Sequence, residues 1–302
     1  MIPYYLDSMG AGQAAFNDGL LDLGFKPVPP ASFELALARG DRVLVHGWWY
    51  PAALAEKYPR QIVVLWHTGF AGNDLLGAGA AFARVAELAK AGLVTLMMTE
   101  TRDRLPAWVA PLTVFWSPDR LRALLPSPMP ERQKGHVVAG LHGDWASSAK
   151  NTVGNVWGAV AAGATVHTSQ TALTEALKPL VDRVVVHPSL SRRGAVALVA
   201  ACELLIHVSL ADSWSFQALE ALYAGTPVLV SEACGISQVS SEFIRVRPTT
   251  LSAGIMHEVG CALAQSPARL PRGLEVLKGL DAMAEMRKVL AVMQLHAVGF
   301  DL

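Results

Sequence analysis

Short apolar runs rich in Val, Ile and Leu alternate along this chain with longer segments whose apolar positions recur at helical spacing. The first pattern is typical of buried strands and the second of amphipathic helices. The first half is therefore predicted to contain strands at Pro3–Asp7, Arg42–His46, Ile62–His67, Val94–Thr99 and Thr113–Trp116, with helices at Gln13–Leu23 and Gly77–Ala91. Strands that alternate with helices form parallel sheets, so the predicted fold class is α/β.

A Pro-rich segment at 126–130 separates this half from a second run of the same pattern. The second half is predicted to contain strands at His136–Leu141, Thr165–Thr168, Val184–His187, Leu204–Ser209 and Pro227–Ser231, with helices at Thr152–Ala162, Ala172–Val181, Arg193–Cys202, Ser215–Ala224 and, last, within Glu275–Ala297. We therefore predict two Rossmann-like domains, at 1–128 and 131–284, that face each other across a ligand-binding cleft.

The composition indicates a globular protein with a large core, since 52% of the 302 residues are hydrophobic and 17% are charged. The longest uninterrupted apolar run, Ala195–Cys202, is far shorter than the roughly 20 residues that a membrane-spanning helix needs. Basic and acidic residues number 25 each. A net charge of zero disfavours nucleic acid as a partner, although it leaves a local basic patch open.

The start of the chain has no cationic segment followed by a long apolar stretch, so we expect no secretory signal. The three cysteines, Cys202, Cys234 and Cys261, are too widely spaced for a metal-binding motif. We interpret them as buried free thiols in a reducing compartment, and we predict a cytoplasmic protein.

The segment Ser209–Gln238 carries the candidate chemistry. A strand is predicted to end near Ser209, and a helix to begin near Ser215 and to end at Gly225, with Pro227 beyond it. A serine at the start, a glycine at the end and a proline after it are the residues that commonly bound a helix. The free N–H groups and the positive dipole end at such a helix start form an anion site suited to phosphate.

Two carboxylates flank this helix start. Asp212 lies in the preceding loop, and Glu220 lies beyond Ser215 by about 7–8 Å along the helix axis. A diphosphate at the helix tip would leave Glu220 within reach of a ribose and Asp212 at the opposite end of the ligand, as a nucleotide sugar requires. On spacing alone, the alternative is that Glu220 is a solvated helix residue and Asp212 a turn residue.

The run DSWSFQALEALYAGTPV, which begins at Asp212, resembles the signature of family 4 glycosyltransferases. In that family a carboxylate, seven residues and a glutamate precede a helix that ends Ala-x-Gly-x-Pro-Val, and SEACGISQ resembles the turn that follows. The resemblance implies the glycosyltransferase B (GT-B) fold, with the donor bound by the C-terminal domain. It also implies that a last helix, at about 285–302, packs back on the N-terminal domain.

The resemblance assigns donor-binding roles in the second half. Glu220 would bind the ribose, and the loop and helix start would bind the diphosphate through Ser213, Trp214, Ser215 and Phe216. Lys150 matches the family's phosphate-binding lysine, although the arginine that accompanies it there is missing. His187 and Ser189 lie where the family holds the nucleobase. The alternatives are a solvated lysine and an ordinary strand end.

The resemblance also assigns roles in the first half. Gly10 and Gly12 lie in a turn where small residues would allow close approach to the donor phosphates. His67 is placed like the histidine that the family directs at the transferred sugar, which makes His67 and Asp212 the candidate catalytic residues. Trp48 and Trp49 are acceptor-side candidates, because aromatic faces stack on sugar rings or on bases, although both could be core residues.

The implied function is transfer of a sugar from a nucleotide diphosphate sugar to a hydroxyl of a saccharide, lipid or small molecule. By resemblance the anomeric configuration is retained and no metal or other cofactor is needed. The leaving diphosphate, stabilised by helix-start amides and Lys150, would take the acceptor proton. Three alternatives stay open: a phage-type DNA glycosyltransferase acting on a hydroxylated base, a sugar-nucleotide epimerase, and a non-catalytic nucleotide-sugar-binding module.

Overall fold

The computed structural model describes most of the chain, and the fold is given for those residues alone. They are residues 4–7, 11–47, 51–67, 78–99, 105–112, 117–141, 150–169, 182–210, 212, 215–238, 244–246, 252–265 and 282–295. The chain divides into two compact units, one formed by Met1–Ser117 with Asp281–Leu302 and the other by Pro118–Leu280.

The first unit contains a six-stranded parallel sheet in the order β2-β1-β3-β4-β5-β6. Its strands are β1 (Tyr4–Leu6), β2 (Lys26–Val28), β3 (Val43–His46), β4 (Ile62–Trp66), β5 (Val94–Thr99) and β6 (Val109–Leu112). Its helices before the second unit are α1 (Ala11–Asp22), α2 (Phe33–Ala38), α3 (Ala52–Lys57) and α4 (Gly79–Lys90). The central strands β3 and β4 are buried throughout, as expected of a sheet covered on both faces.

The second unit contains another six-stranded parallel sheet, in the order β12-β11-β10-β7-β8-β9. Its strands are β7 (Gln133–Ala139), β8 (Thr165–Thr168), β9 (Val184–Val186), β10 (Cys202–His207), β11 (Val228–Ser231) and β12 (Ile244–Val246). Its helices are α5 (Pro118–Leu124), α6 (Thr152–Ala161), α7 (Arg192–Ala201), α8 (Phe216–Tyr223) and α9 (Ser252–Ala264). In this sheet the chain reverses its direction of winding between β7 and β10.

The predicted α/β class with two Rossmann-like parallel sheets is confirmed. The pattern missed the edge strands β2 and β12, each only three residues long, and the strand β6. The strand predicted at Thr113–Trp116 and the helix predicted at Ala172–Val181 lie outside the described residues. The division between the units falls after Ser117, earlier than the Pro-rich segment, because α5 packs against α7 of the second unit.

The last described helix, α10 (Ala282–Leu295), belongs to the first unit. Arg42 anchors it. The guanidinium of this buried arginine donates from Nη1 to the carbonyls of Val292 and Met293, at 2.9 and 2.8 Å, and from Nε to the carbonyl of Arg60 at 3.1 Å. The last carbonyls of a helix have no partner within it, so Arg42 closes the end of α10 from a distant strand.

Two of the three cysteines are buried and one is not. Cys202 and Cys234 are buried free thiols as predicted, and burial raises the pKa of the Cys202 thiol to about 12. The prediction is wrong for Cys261, which is exposed on α9. Among the helices that the structure describes, none combines the length and apolarity needed to cross a membrane.

We predict that Arg42→Met lowers the free energy of unfolding by about 2–3 kcal/mol, because buried carbonyls lose their charged donor. Urea denaturation should detect this loss, and amide hydrogen exchange should quicken in α10. Arg39 offers a matched control, since it is exposed and bonds only its near neighbour Asp41 among the described residues. Arg39→Met should change stability by less than about 0.5 kcal/mol. Equal losses in both variants would contradict the anchoring role of Arg42.

Candidate functional site

The point where the second sheet reverses its winding is a common ligand-binding position, because neighbouring strands send their connections to opposite faces there. Strands β7 and β10 are hydrogen-bonded neighbours at that point. The connection after β7 leads to Lys150, and the connection after β10 leads to Asp212. The structure brings these two predicted residues together, with 2.5 Å between Lys150 Nζ and Asp212 Oδ2.

The backbone beside Lys150 is held in an uncommon conformation. Asn151 has φ 49° and ψ 39°, in the left-handed region, and its side-chain amide donates to the carbonyl of Val208 at 3.2 Å. A Cβ on Gly154 would lie 2.5 Å from Asn151 Oδ1, so a glycine is needed where this side chain packs. Asn151 thereby ties the start of α6, and Lys150 with it, to the end of β10.

Asp212 is a buried carboxylate with two partners on one oxygen. Its side chain is 7% exposed, and Oδ2 accepts from Lys150 and, at 2.8 Å, from His207 Nε2. Burial alone would raise the pKa of Asp212, but the Lys150 ammonium and the His207 hydrogen bond outweigh it and hold that pKa well below its usual range. Asp212 is therefore ionised at neutral pH.

The backbone of Asp212 is fixed to the turn after β11. It pairs with Cys234, and its carbonyl accepts from the Gly235 amide at 2.9 Å. Among the described residues, His207, Asp212 and Cys234 form a group whose ligand atoms lie within 4.8 Å of one another. Lys150 places a positive charge on the carboxylate that a metal ion would use, and burial raises the pKa of the Cys234 thiol. In this structure the cationic partner of Asp212 is the ammonium of Lys150.

The helix predicted at Ser215–Ala224 is α8, and Ser215 is its N-cap residue. Ser215 Oγ accepts from the Ala218 amide at 3.2 Å, and Glu220 lies one turn further on, buried and 7% exposed. Glu220 Oε1 accepts from Arg192 Nε at 2.6 Å, which fixes the carboxylate. Glu220 is thus not the solvated residue of the alternative interpretation.

Arg192 carries no local motif that would identify it from the sequence. It starts α7, directly after the cap Ser191, whose Oγ accepts from the Gly194 amide at 3.1 Å. A pair of arginines at the start of a predicted helix is visible in the sequence. However, Glu220, the partner of Arg192, lies 28 residues away along the chain. A local pattern does not connect two such positions.

His187 ends a row of hydrogen-bonded imidazoles that crosses three neighbouring strands. His187 Nε2 lies 2.9 Å from His167 Nδ1, and His167 Nε2 lies 2.8 Å from His136 Nδ1. A neutral central imidazole donates at one nitrogen and accepts at the other, so the two hydrogen bonds of the row run in the same direction. Burial, with the neighbouring imidazoles, lowers the pKa of His167 to about 4. Ser189, the other predicted base-binding residue, is exposed.

In the first unit, the predicted His67 follows β4 and meets His46 at the end of β3. His67 Nε2 lies 2.6 Å from His46 Nδ1, and His46 Nε2 lies 2.8 Å from Asn17 Oδ1 of α1. Burial lowers the pKa of His46 to about 4 and that of His67 well below its usual value. Neither His46 nor Asn17 was singled out from the sequence, because neither belongs to a local motif.

Other predicted site residues cannot be placed against these. Gly10, Trp48, Trp49, Ser213 and Trp214 lie outside the described residues, and Gly12 is described only as part of α1. Phe216 is the first residue of α8 and is half-buried.

Residues 136–260 match the model of a family described as family 4 glycosyltransferase in conflict systems. That segment contains Lys150, Asp212, Arg192 and Glu220. A comparison with curated protein sequences finds no significant match.

Solved structures share the fold. HepE of Anabaena, in complex with UDP and glucose, has a TM-score of 0.66 at 12% identity over 99% of this chain and 100% of that one. The UDP-forming α,α-trehalose-phosphate synthase of Burkholderia xenovorans, in complex with glucose-6-phosphate, has a TM-score of 0.62 at 15% identity over 87% and 75%. Sucrose-phosphate synthase of Thermosynechococcus elongatus has a TM-score of 0.61 at 12% identity over 98% of each chain.

The two parallel Rossmann-like sheets and these neighbours define the class of protein as one with the GT-B glycosyltransferase fold. Within that class, the resemblance to family 4 glycosyltransferases that the sequence indicated is confirmed over the second unit by the family match.

Acid should destabilise this protein before its carboxylates are protonated. His46, His67 and His167 have lowered pKa values, so below about pH 6.5 the unfolded chain binds protons that the folded chain does not. We expect the free energy of unfolding to fall from there toward pH 4, by up to about 1.4 kcal/mol per pH unit for each group. Urea denaturation at several pH values measures this slope.

His167→Gln should flatten that slope, because one of the three groups is removed. The control is His257→Gln, since His257 is exposed on α9 and its loss should leave the slope unchanged. A wild-type slope near zero over this range would contradict the prediction.

Proposed function

We propose that this protein is a glycosyltransferase that moves a hexose from UDP-hexose to an acceptor hydroxyl, with retention and without a metal ion. The observation that carries the proposal is the buried Glu220, clamped by Arg192 one turn inside a helix that starts at the reversal point of the second sheet. This arrangement lies inside the segment that matches the family 4 glycosyltransferase model. The HepE complex with UDP and glucose supports the choice of donor.

The donor would lie along the carboxyl edge of the second sheet. Glu220 accepts the ribose hydroxyls, and Arg192 holds its carboxylate in orientation. The diphosphate lies at the start of α8, where the Ser215 and Phe216 amides and the helix dipole stabilise negative charge. His187 and Ser189 lie beside the base, which the backbone of that strand end contacts.

Lys150 would serve the diphosphate as well as Asp212. An ammonium carries three donors, so it can contact a phosphate oxygen while it keeps one bond to the carboxylate. The donor would thus find Lys150 already positioned by Asp212 and Asn151. The loop that would supply the family's arginine, 142–149, lies outside the described residues.

Chemistry would take place at the sugar, where Asp212 and His67 accept hydrogen bonds from its hydroxyls. As the bond to the diphosphate breaks, charge grows on the phosphate oxygens, and Lys150 with the helix-start amides stabilises it. The departing oxygen can take the acceptor proton on the same face of the sugar, which gives retention without a separate base. Gly10, Gly12, Trp48 and Trp49 keep their expected roles as donor-side and acceptor-side candidates.

The acceptor is proposed to be a hydroxyl of a saccharide, lipid or small molecule. The trehalose-phosphate synthase neighbour binds glucose-6-phosphate, which makes sugar phosphates the first acceptors to test. DNA is not favoured as the acceptor, because basic and acidic residues are equal in number and the chain carries no net positive charge. Incubation with a panel of nucleotide sugars and mixed acceptors, followed by mass spectrometry, tests the proposal; neither transfer nor donor hydrolysis with any pair would contradict it.

Glu220→Ala should weaken UDP binding by about 1.5–3 kcal/mol, the free energy of hydrogen bonds to a charged group. The helix should persist, because alanine is the strongest helix former. Titration calorimetry with UDP measures the change, and Glu131→Ala, which removes an exposed glutamate of the same unit, is the control. Unchanged affinity in a folded Glu220→Ala variant would refute the ribose role.

Asp212→Asn and His67→Gln should each reduce turnover more than they reduce affinity for UDP, which lacks the sugar. We expect kcat/KM for UDP-glucose to fall roughly 10- to 100-fold in both variants. The Kd for UDP should stay unchanged in His67→Gln and should change less than turnover in Asp212→Asn, where Lys150 loses its partner. Asp212→Asn should also lower stability by about 3 kcal/mol, because Lys150 and His207 lose a buried partner. Equal losses in turnover and UDP affinity would show a damaged site rather than a lost sugar contact.

A further inference from the structure

The row Asn17–His46–His67 in the first unit determines which nitrogen of His67 carries a proton. Asn17 Oδ1 only accepts hydrogen bonds, so His46 Nε2, at 2.8 Å, must carry the hydrogen and donate. A neutral imidazole has one N–H, which leaves His46 Nδ1 as an acceptor. His67 Nε2, at 2.6 Å from that nitrogen, must then donate. The chain of bonds therefore requires the Nε2–H tautomer of His67.

In this tautomer the remaining nitrogen of His67, Nδ1, carries a lone pair. Nδ1 is buried and has no hydrogen-bond partner among the residues that the structure describes. The ring cannot easily turn away, because Phe16 packs on one side at 4.3 Å between ring centroids and His46 stacks on it at 4.8 Å. A buried acceptor without a partner carries a free-energy cost, which a ligand that donates a hydrogen bond would remove.

We propose that Asn17 and His46 are positioning residues that hold His67 as its Nε2–H tautomer, so that Nδ1 accepts a hydrogen bond from a hydroxyl of the transferred sugar. The proposal rests on the proposed function for the identity of that hydroxyl alone. The low pKa of His67 agrees with it, since a neutral ring is required for Nδ1 to accept.

This tautomer also determines what His67 does not bind. Phosphate oxygens carry no proton to donate at neutral pH and would face the lone pair of Nδ1 unfavourably. His67 would thus select a neutral, hydroxylated group over an anionic one. Asn17 suits this role better than an aspartate, because a carboxylate beside His46 would favour the imidazolium, whose second N–H would reverse the chain.

Imidazole nitrogen NMR on the uniformly ¹⁵N-labelled full chain tests the tautomer directly. The His67 signals are assigned by their loss in His67→Gln. At neutral pH we expect a protonated Nε2 and a bare Nδ1. UDP-glucose should shift the Nδ1 signal, and UDP alone should leave it in place. A protonated Nδ1 in the free protein, or equal shifts with the two ligands, would overturn the proposal.

Two variants of His46 separate positioning from structure. His46→Asn keeps a short side-chain acceptor for His67 Nε2–H, whereas His46→Leu removes it. We expect His46→Leu and Asn17→Leu to give mixed His67 tautomers and a roughly tenfold lower kcat/KM for UDP-glucose, with an unchanged Kd for UDP. His46→Asn should retain the single tautomer and most of the activity. A single tautomer in His46→Leu would overturn the proposal.

The amide signals of β1 and β5, which belong to the same sheet as His46, provide an internal check that the first unit of each variant is folded. Failure of the inference and failure of the proposed function give different results. If the wild-type protein transfers no sugar but shows the Nε2–H tautomer, then the proposed function fails and the positioning by Asn17 and His46 stands. If it transfers sugar with the opposite tautomer, the positioning fails alone.

Discussion

An ionised carboxylate inside a protein needs partners, and the second unit is organised around the partners of Asp212. Lys150 arrives from the connection after β7, His207 from the end of β10, and the backbone of Cys234 from the turn after β11. Asp212 thereby joins three strand connections at the carboxyl edge of the second sheet, through its side chain to Lys150 and His207 and through its backbone to Cys234. Loss of a single partner would leave a buried charge, which costs more than the pair contributes when intact. The geometry of this edge is therefore maintained by charge neutralisation as much as by apolar packing.

Histidines on neighbouring parallel strands are also held by one another, through hydrogen bonds between imidazoles. Adjacent strands lie about 4.8 Å apart, so imidazoles offset by two residues in the strand register still come within hydrogen-bonding range. His46 is paired with Leu65 and His136 with Thr165, and the partner histidine lies two residues further along in each case. The pairs His46–His67 and His136–His167 both have this arrangement, with 4.8 and 5.1 Å between ring centroids. Each bond requires one ring to donate and the next to accept, so the direction of the whole row depends on the group at its end. In the first unit that group is Asn17.

Long buried strands and the helix that carries Glu220 could be predicted from the sequence, because their signals are local. The run at Val43–His46 is uniformly apolar but for its last residue, and α8 is bounded by Ser215 and Gly225. The short edge strands β2 and β12 could not be predicted, because Pro27 interrupts the first and Arg245 the second. The equally short edge strand β9 could be predicted, because it is an unbroken run of valines.

The hydrogen-bond partners of the site residues could not be predicted from the sequence either, for a different reason. Arg192 lies 28 residues from Glu220, and Asn17 lies 29 residues from His46. Such pairs come together because of the order of strands in the sheet. A rule based on residue spacing along the chain carries no information about that order. Asp212 and Glu220 were found because both fall within one strand–loop–helix segment with a recognisable motif.

The bond between Arg42 and the end of α10 has a consequence for biosynthesis. Arg42 and Val292 are 250 residues apart, with the whole second unit between them. At about 5–20 residues per second, the ribosome delivers α10 roughly 10–50 s after Arg42. During that interval the first sheet lacks α10, the helix that belongs to the same unit. The described strands of the second unit, β7 to β12, are synthesised in the same interval. They are therefore all synthesised before α10, whereas the first unit becomes complete only when α10 emerges.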